Sequence, residues 1–230
     1  ISKGLLDEWQ VLRFNPYTYT AGSDGWDPAG MADSYAGVNE IISTATVEIP
    51  EGDSNTVALP TAPEGYEYKW ESNSEYAIVS KDGTEIEVIR PANGEQPIES
   101  SITLYVRVAG NKGVGAQSVI PVSISATTDT TNVFTTSGTI SVSGNAPESD
   151  VTVSVKFYKG AALIKQAAAT IEAGQPQAEY TAEGIPIGDY DVVFDSQNSE
   201  YKILTPTDGA ATVSGGVGQT QNIDATIARL

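Results

Sequence analysis

The chain has 230 residues, with 12 Lys and Arg against 30 Asp and Glu, and its net charge at pH 7 is −18. A chain this acidic is repelled by phosphate backbones and by anionic lipid. Neither nucleic acids nor membrane surfaces are therefore expected partners. It contains no Cys and no His, which excludes disulfides, zinc–thiolate sites and imidazole bases.

The first forty residues form a leader whose pattern differs from the rest. Apolar residues at helical spacing over residues 5–12 predict one short amphipathic helix. Pro16 ends it, because the residue before a proline is disfavoured in the α region. Residues 17–20 are predicted as a short strand, and residues 21–37 as a turn-rich loop. Because the chain begins at Ile1 rather than Met, it is expected to be a portion of a longer precursor.

The large aromatic side chains of this leader are the predicted interaction residues, because they exceed what a free tail should carry. They are Trp9, Phe14, Tyr17, Tyr19, Trp26 and Tyr35. They could pack on the first domain or on a neighbouring chain. Trp26 and Tyr35, both in the predicted loop, are also candidates for stacking on a sugar, although capping the domain is the more ordinary role.

Three carboxylates in the same part of the chain are candidate calcium ligands: Asp24, Asp27 and Asp33. Ca²⁺ takes six to eight oxygen ligands, and a turn-rich loop can present carboxylates and carbonyls together. The spacing matches no EF-hand loop, and Asp is a routine turn former. Calcium binding and plain turn chemistry are therefore both open, and no other cofactor is expected.

From residue 41 the apolar pattern changes to a period of two, which is typical of strands. Seven such segments are separated by turns, at residues 42–50, 57–59, 66–70, 77–79, 86–89, 102–108 and 118–124. They predict a β-sandwich over residues 41–127. Tyr66, Tyr68 and Trp70 share one strand face. They could form a platform for sugars, but a place in the sandwich core is favoured.

Four short motifs in this region carry a family resemblance: Leu59-Pro60, Trp70-Glu71-Ser72-Asn73-Ser74, Asp82-Gly83 and Arg90-Pro91. Over residues 42–126 the chain resembles the atrophied Ig-like domain of large secreted proteins from Gram-positive bacteria. The resemblance implies a spacer or adhesive module, often beside a carbohydrate-active enzyme, and it implies no catalytic residues.

Residues 128–136 are predicted as a polar linker, and a second alternating set follows over residues 137–230. Gly188 permits a tight entry turn, after which Tyr190 packs one strand face. This set resembles transthyretin-like sandwiches such as carboxypeptidase regulatory-like domains and collagen-adhesin B-type repeats. An isopeptide cross-link, which such repeats often carry, is not expected, because Lys156 and Asn222 fall on outward-facing positions.

The predicted fold is therefore all-β, with two tandem Ig-like and transthyretin-like sandwiches after a leader that contains a helix or strand. The predicted function is that of a non-catalytic extracellular structural or adhesive protein, on a bacterial surface or in a surface filament or virion. Its expected partners are further copies of itself or cell-surface or virion proteins. The alternative is a carbohydrate-binding accessory region of a polysaccharide-degrading enzyme, with a glycan as ligand. Neighbouring acids such as Asp7 and Glu8 are ordinary on a solvated face, so catalysis is not expected.

Overall fold

The computed structural model describes residues 28–230, and the side chains of residues 35–110 and 114–230. The chain divides into two compact units. The first contains residues 28–50, 54–88 and 99–124 of the described chain, and the second contains residues 51–53, 89–98 and 125–230. The two units interleave along the chain, and the predicted order of leader, sandwich, linker and sandwich stays a prediction.

The first unit combines one helix with two three-stranded sheets. Its elements are α1 (Pro28–Thr44), β1 (Thr56–Ala58), β2 (Tyr66–Ser72), β3 (Ala77–Val79), β4 (Glu85–Val88), β5 (Ile98–Val108) and β6 (Asn111–Ile124). One sheet has the order β1-β4-β3 and the other has the order β2-β5-β6. The pairs β1–β4, β3–β4 and β2–β5 are antiparallel.

The core of the first unit follows the predicted period of two. Ile102, Leu104 and Val106 alternate along β5 with more exposed residues, and each is almost fully buried. Trp70 lies on β2 opposite Leu104 and is 5% exposed. Its indole Nε1 donates a hydrogen bond of 3.3 Å to the carbonyl oxygen of Pro60. The predicted core position of Trp70 is therefore confirmed.

Helix α1 is the main departure from the sequence expectation. The loop predicted over residues 21–37 is wrong from Pro28 onward, and the strand predicted over residues 42–50 is wrong, because α1 runs to Thr44 and residues 45–50 have no regular structure. Pro28 suits the first helical position, where its missing N–H has no intrahelical partner to lose.

Packing on the sheets explains why glycines and serines did not break this helix. Val38 is fully buried, and α1 packs against β6. Gly37 faces β2, and a Cβ added there would overlap the hydroxyl group of Tyr66. A helix that buries one face gains more from tertiary packing than from intrinsic propensity.

The second unit contains nine strands in two sheets. They are β7 (Val133–Val142), β8 (Val151–Lys159), β9 (Ala162–Ile171), β10 (Gln177–Pro186), β11 (Gly188–Ser196), β12 (Tyr201–Thr205), β13 (Ala210–Gly215), β14 (Thr220–Asn222) and β15 (Ala225–Arg229). One sheet has the order β10-β7-β15-β12, with β14 also paired to β7, and the other has the order β13-β11-β8-β9. Strand β7 begins at Val133, inside the predicted linker.

Aromatic contacts between these two sheets show that they pack face to face. Tyr180 of β10 meets Phe194 of β11 edge to face, with ring centroids 6.0 Å apart, and Phe134 of β7 lies 6.0 Å from Tyr190 of β11. The inward residues of β8 are fully buried, namely Val151, Val153, Val155 and Phe157. The second unit is thus a β-sandwich, and the predicted all-β class is confirmed.

Candidate functional site

The polar segment before β7 is ordered by a single carboxylate from elsewhere in the second unit. Oδ1 of Asp53 accepts hydrogen bonds from the hydroxyl of Thr127 at 2.8 Å and from the backbone N–H and hydroxyl of Thr128 at 2.8 and 2.9 Å. Three bonds to a charged acceptor hold the backbone of this segment more firmly than neutral pairs would. The threonine-rich sequence is therefore not a loose linker at this point.

Residues 89–98 bind the other side of the same segment. Arg90 is 5% exposed, and its Nη1 donates to the carbonyl oxygen and the hydroxyl of Ser125, both at 3.2 Å. The N–H of Thr127 donates to the carbonyl oxygen of Pro91 at 2.9 Å. We call Asp53, Arg90, Ser125, Thr127 and Thr128 the connector cluster. The Arg90-Pro91 motif thus has a local role in ordering the chain.

The connector cluster is attached to the sandwich of the second unit through strand β9. The N–H of Ala92 donates to the carbonyl oxygen of Ile164 at 2.8 Å, and Nζ of Lys165 forms an ion pair of 2.7 Å with Glu95. Ala92 is fully buried. Residues 89–98 are consequently part of the packed unit, and they form a fixed support for the connector cluster.

A second carboxylate guides the chain from the connector cluster into β7. Oδ1 of Asp129 accepts from the N–H and hydroxyl of Thr131 at 2.7 and 2.8 Å and from the N–H of Asn132 at 3.1 Å. Its Oδ2 accepts from Nδ2 of Asn132 at 2.7 Å. This is an Asx-type turn, in which an aspartate side chain binds backbone N–H groups shortly after it.

The pKa values of these carboxylates are lowered by the hydrogen bonds that they accept, as expected for side chains that hold a turn. Hydrogen bonds from Thr127 and Thr128 lower the pKa of Asp53, and bonds from Asn132 and Thr131 lower the pKa of Asp129. In the first unit, Ser80 and Thr84 lower the pKa of Asp82 in the same way. A general acid needs a raised pKa instead. Each of these three aspartates is therefore suited to hold a turn.

The predicted interaction residues fall mostly outside the described chain. Trp9, Phe14, Tyr17, Tyr19 and Trp26 lie there, as do the helix of residues 5–12 and the strand of residues 17–20. Tyr35 lies on α1 and is half-buried. It is thus in a helix rather than in the predicted loop, and the interaction role of the set stays a prediction.

The calcium hypothesis is untested for the same reason. Asp24 and Asp27 lie outside the described residues, while Asp33 is on α1 rather than in a loop. Among the residues that the structure describes, no group of three or more acidic side chains is placed to hold a metal ion. No described helix has the length and hydropathy of a transmembrane span.

The predicted aromatic platform keeps two partly exposed rings, Tyr66 and Tyr68, and the hydroxyl of Tyr66 lies against Gly37 of α1. Trp70 is buried, and Tyr68 meets it edge to face with ring centroids 6.1 Å apart. Beside them lies an open depression of about 300 Å³, lined by residues that include Tyr68, Lys81, Asp82 and Thr84. An aromatic ring with hydroxyl and charged groups around it is the kind of surface on which a sugar can stack.

The turn that follows the connector cluster has a signal in the sequence, whereas the contact between Asp53 and Thr127 has none. Asp129 followed by Thr131 and Asn132 is a recognisable Asx-turn pattern. Asp53 and Thr127, by contrast, are 74 residues apart, and no local pattern connects them. Sequence reasoning treated these threonines as a linker and missed the carboxylate that binds them.

Comparison with known proteins gives weak similarity only. No protein-family model matches the chain, and no curated protein matches it. Two structures of the pilus-presented adhesin Spy0125 (Cpa) are similar to it with TM-scores of 0.29 and 0.27 at 10% and 13% identity, covering 56% and 55% of this chain. A candidate cell adhesion protein from Bacteroides fragilis gives a TM-score of 0.23 at 7% identity, covering 79% of this chain and 88% of that one.

The chain spans only 37% and 36% of the two adhesin structures. TM-scores below 0.5 do not establish a shared function. The functional proposals below therefore rest on the residues of the chain itself.

Proposed function

We propose that the chain is a non-catalytic structural module of an extracellular adhesive protein, displayed at a bacterial surface or built into a surface filament or virion. The connector cluster is the observation that carries this proposal. A flexible tether needs only small polar residues without fixed partners. Here a buried arginine and two aspartates hold residues 125–132 in one conformation, as a spacer requires.

The charge of the chain supports the same role. A net charge of −18 keeps a protein soluble and suppresses non-specific contact with other acidic surfaces. The large buried side chains, including Trp70, Phe134 and Phe157, have a structural role in core packing. The proposed partners are other protein surfaces, including further copies of the chain.

The first test is the mobility of the connector. In the full chain, ¹⁵N relaxation should give residues 125–132 order parameters close to those of β7, about 0.85. Values typical of a flexible segment, below about 0.6, would overturn the spacer proposal. Localisation is tested separately by immunolabelling intact cells of the source organism, where labelling only after permeabilisation would exclude surface display.

The depression beside Tyr68 favours the alternative proposal, a carbohydrate-binding accessory region. Affinity electrophoresis against xylan, pectin, mannan and cell-wall glycans tests it with the wild-type chain and the Tyr68→Ala variant. Retardation that is lost in the variant would support glycan binding at this depression. Lys202→Ala is a matched control, because Lys202 is an exposed residue of β12 in the other unit. Migration unaffected by every glycan would remove this alternative.

A further inference from the structure

We propose that the second unit is a tension-bearing module, in which β7 and residues 218–227 form a clamp that resists force applied along the chain. This inference rests on the proposed structural function and adds a direction of load to it. Strand β7 is the first strand of the unit's sandwich, and β15 is its last. The relative direction of these two strands decides how a pulling force reaches their hydrogen bonds.

The two terminal strands run parallel and are paired directly. Strand β14 pairs with β7 from Thr220 opposite Thr135 to Asn222 opposite Ser137, and β15 pairs with β7 from Ala225 opposite Ile140 to Ile227 opposite Val142. In a parallel pair the hydrogen bonds are evenly spaced along the strands. In the sheet, no other strand lies between β7 and β15.

The bonding extends past both ends of the assigned strands. The N–H of Gly218 donates to the carbonyl oxygen of Val133 at 2.8 Å, and the N–H of Ser143 donates to that of Ile227 at 2.7 Å. The whole length of β7 is therefore bonded to the C-terminal part of the chain. Such a ladder leaves no free stretch from which peeling can begin.

The break between β14 and β15 is closed by one backbone hydrogen bond and by the side chains of Asp224 and Tyr180. The N–H of Ile223 donates to the carbonyl oxygen of Ser137 at 2.9 Å, and the N–H of Thr139 donates to Oδ1 of Asp224 at 2.8 Å. A carboxylate thus takes the place of a missing backbone acceptor. The hydroxyl of Tyr180 donates to the carbonyl oxygen of Ile223 at 2.8 Å and fixes the same bend.

Gly138 allows this closure. A Cβ added at Gly138 would overlap the carbonyl oxygen of Ile223, so any larger residue would push the bend away from β7. Strand β7 is also flanked by β10, and β15 by β12. Strands β7 and β15 are therefore interior strands of the sheet, and a force on either of them is shared with its outer neighbour.

Pulling the chain from its two ends draws the start of β7 and the end of β15 in opposite directions along the strand axes. The parallel hydrogen bonds are then loaded together in shear, and they must break together. Hydrogen bonds that are weak individually resist as a group in this geometry. If the same two strands are pulled from the same end, the bonds break one after another.

Single-molecule force spectroscopy on the full chain can compare these two geometries at the same interface. The chain has no native cysteine, so engineered cysteines define the pulling points. Thr130→Cys with Leu230→Cys loads the clamp in shear, and Asn145→Cys with Leu230→Cys opens it from one end. All three positions are exposed. We expect a rupture force about twofold higher or more in shear, because about ten residues of paired strand share the load.

Asp224 supplies the variant and its control. Asp224→Ala should lower the shear rupture force and leave the force for opening from one end almost unchanged, while Asp224→Asn keeps an oxygen acceptor for Thr139 and should restore most of the shear value. Equal rupture forces in the two geometries would overturn the clamp. A mobile connector segment with a high shear force would remove the spacer proposal alone, so the two failures are distinguishable.

Discussion

Asp53 and Thr127 are 74 residues apart in the chain, yet the hydroxyl of Thr127 donates a 2.8 Å hydrogen bond to the carboxylate of Asp53. This bond joins a three-residue segment of the second unit to the residues that lead into its first strand. It explains why a threonine-rich sequence, which predicts a linker, is instead an ordered part of a packed unit.

Removing this carboxylate should loosen the segment that it holds. We expect Asp53→Ala to lower the melting temperature and to increase proteolytic cleavage within residues 125–132, because Thr128 loses its acceptor for both the N–H and the hydroxyl. Limited proteolysis with mass spectrometry measures the cleavage. Glu51→Ala removes the same charge two residues away and serves as the control. Identical cleavage patterns for the two variants would contradict the role of Asp53.

Acid should destabilise the protein through its turn-forming aspartates. The pKa values of Asp53, Asp82 and Asp129 are lowered from 3.8 by hydrogen bonds in the folded state. A lowered folded-state pKa gives stability that is present above the unfolded-state value and is lost as the pH falls through the folded-state value. The melting temperature should therefore decline as the pH drops below about 4. Asp129→Asn should make the melting temperature fall less steeply with decreasing pH. If the variant shows the same fall as the wild type, Asp129 does not contribute to the acid destabilisation.

High pH should destabilise the protein through two buried tyrosines. Burial raises the pKa of Tyr190 to about 12, and burial together with the charge of Asp224 raises that of Tyr180. A raised folded-state pKa gives stability that is complete below the unfolded-state pKa of 10 and is lost as the pH rises toward the folded-state value. Urea denaturation should give a lower free energy of unfolding at pH 11 than at pH 8.

The Tyr190→Phe variant separates the hydrogen bond from the titration. It removes the 2.8 Å bond from the Tyr190 hydroxyl to the carbonyl oxygen of Pro186, which should cost about 1 kcal/mol at pH 8. Between pH 8 and pH 11, the free energy of unfolding of the variant should fall by less than that of the wild type. A loss as steep as in the wild type would show that Tyr190 does not contribute to the alkaline transition.

Replacing Thr136 should stabilise the second unit. Thr136 is fully buried in β7, and its hydroxyl has no hydrogen-bond partner among the described residues. Thr136→Val keeps the shape of the side chain and removes the unpaired oxygen, which should raise the free energy of unfolding by about 1 kcal/mol. Thr136→Ala is the matched comparison, because it removes the oxygen but also leaves a cavity. Chemical denaturation measures both, and a destabilised valine variant would contradict the prediction.

The packing of α1 can be tested by whether one substitution in it raises or lowers the free energy of unfolding. In a free helix Gly37→Ala would stabilise by about 1 kcal/mol. In the docked helix the new methyl group would overlap the Tyr66 hydroxyl, and overpacking should destabilise by about 1–3 kcal/mol. Adding Tyr66→Phe removes the overlapping oxygen and should recover much of that loss. Additive effects of the two changes would show that α1 does not pack on β2.

Local patterns were sufficient for most of the strands, although not for residues 42–50. Residues 137–230 were predicted to alternate, and Val151, Val153 and Val155, which alternate along β8, are all fully buried. The same reasoning placed Trp70 in the core, where it lies. In a strand, successive side chains point to opposite faces, so the sequence itself records which residues are buried. The assignment of the units to Ig-like and transthyretin-like families stays a prediction, as do the interaction and calcium roles of the leader residues.

The helix shows where local patterns fail. The segment before Thr44 contains turn-forming residues and an apparent period of two near Ile42, and both signals are misleading. Val38 and Gly37 acquire their meaning only through β6 and Tyr66. Intrinsic helix propensity is a weak preference, and packing on another element overrides it.

The sequence by itself determined the all-β class, the acidic surface and the buried faces of most strands, because these depend on residues that are neighbours in the chain. Only the tertiary structure decided which distant residues meet. The hydrogen bond from Thr127 to Asp53 and the parallel pairing of β7 with β15 are such cases. Hydrogen bonding between segments depends on how the chain folds back, and donor and acceptor groups on the backbone are the same in every residue other than proline.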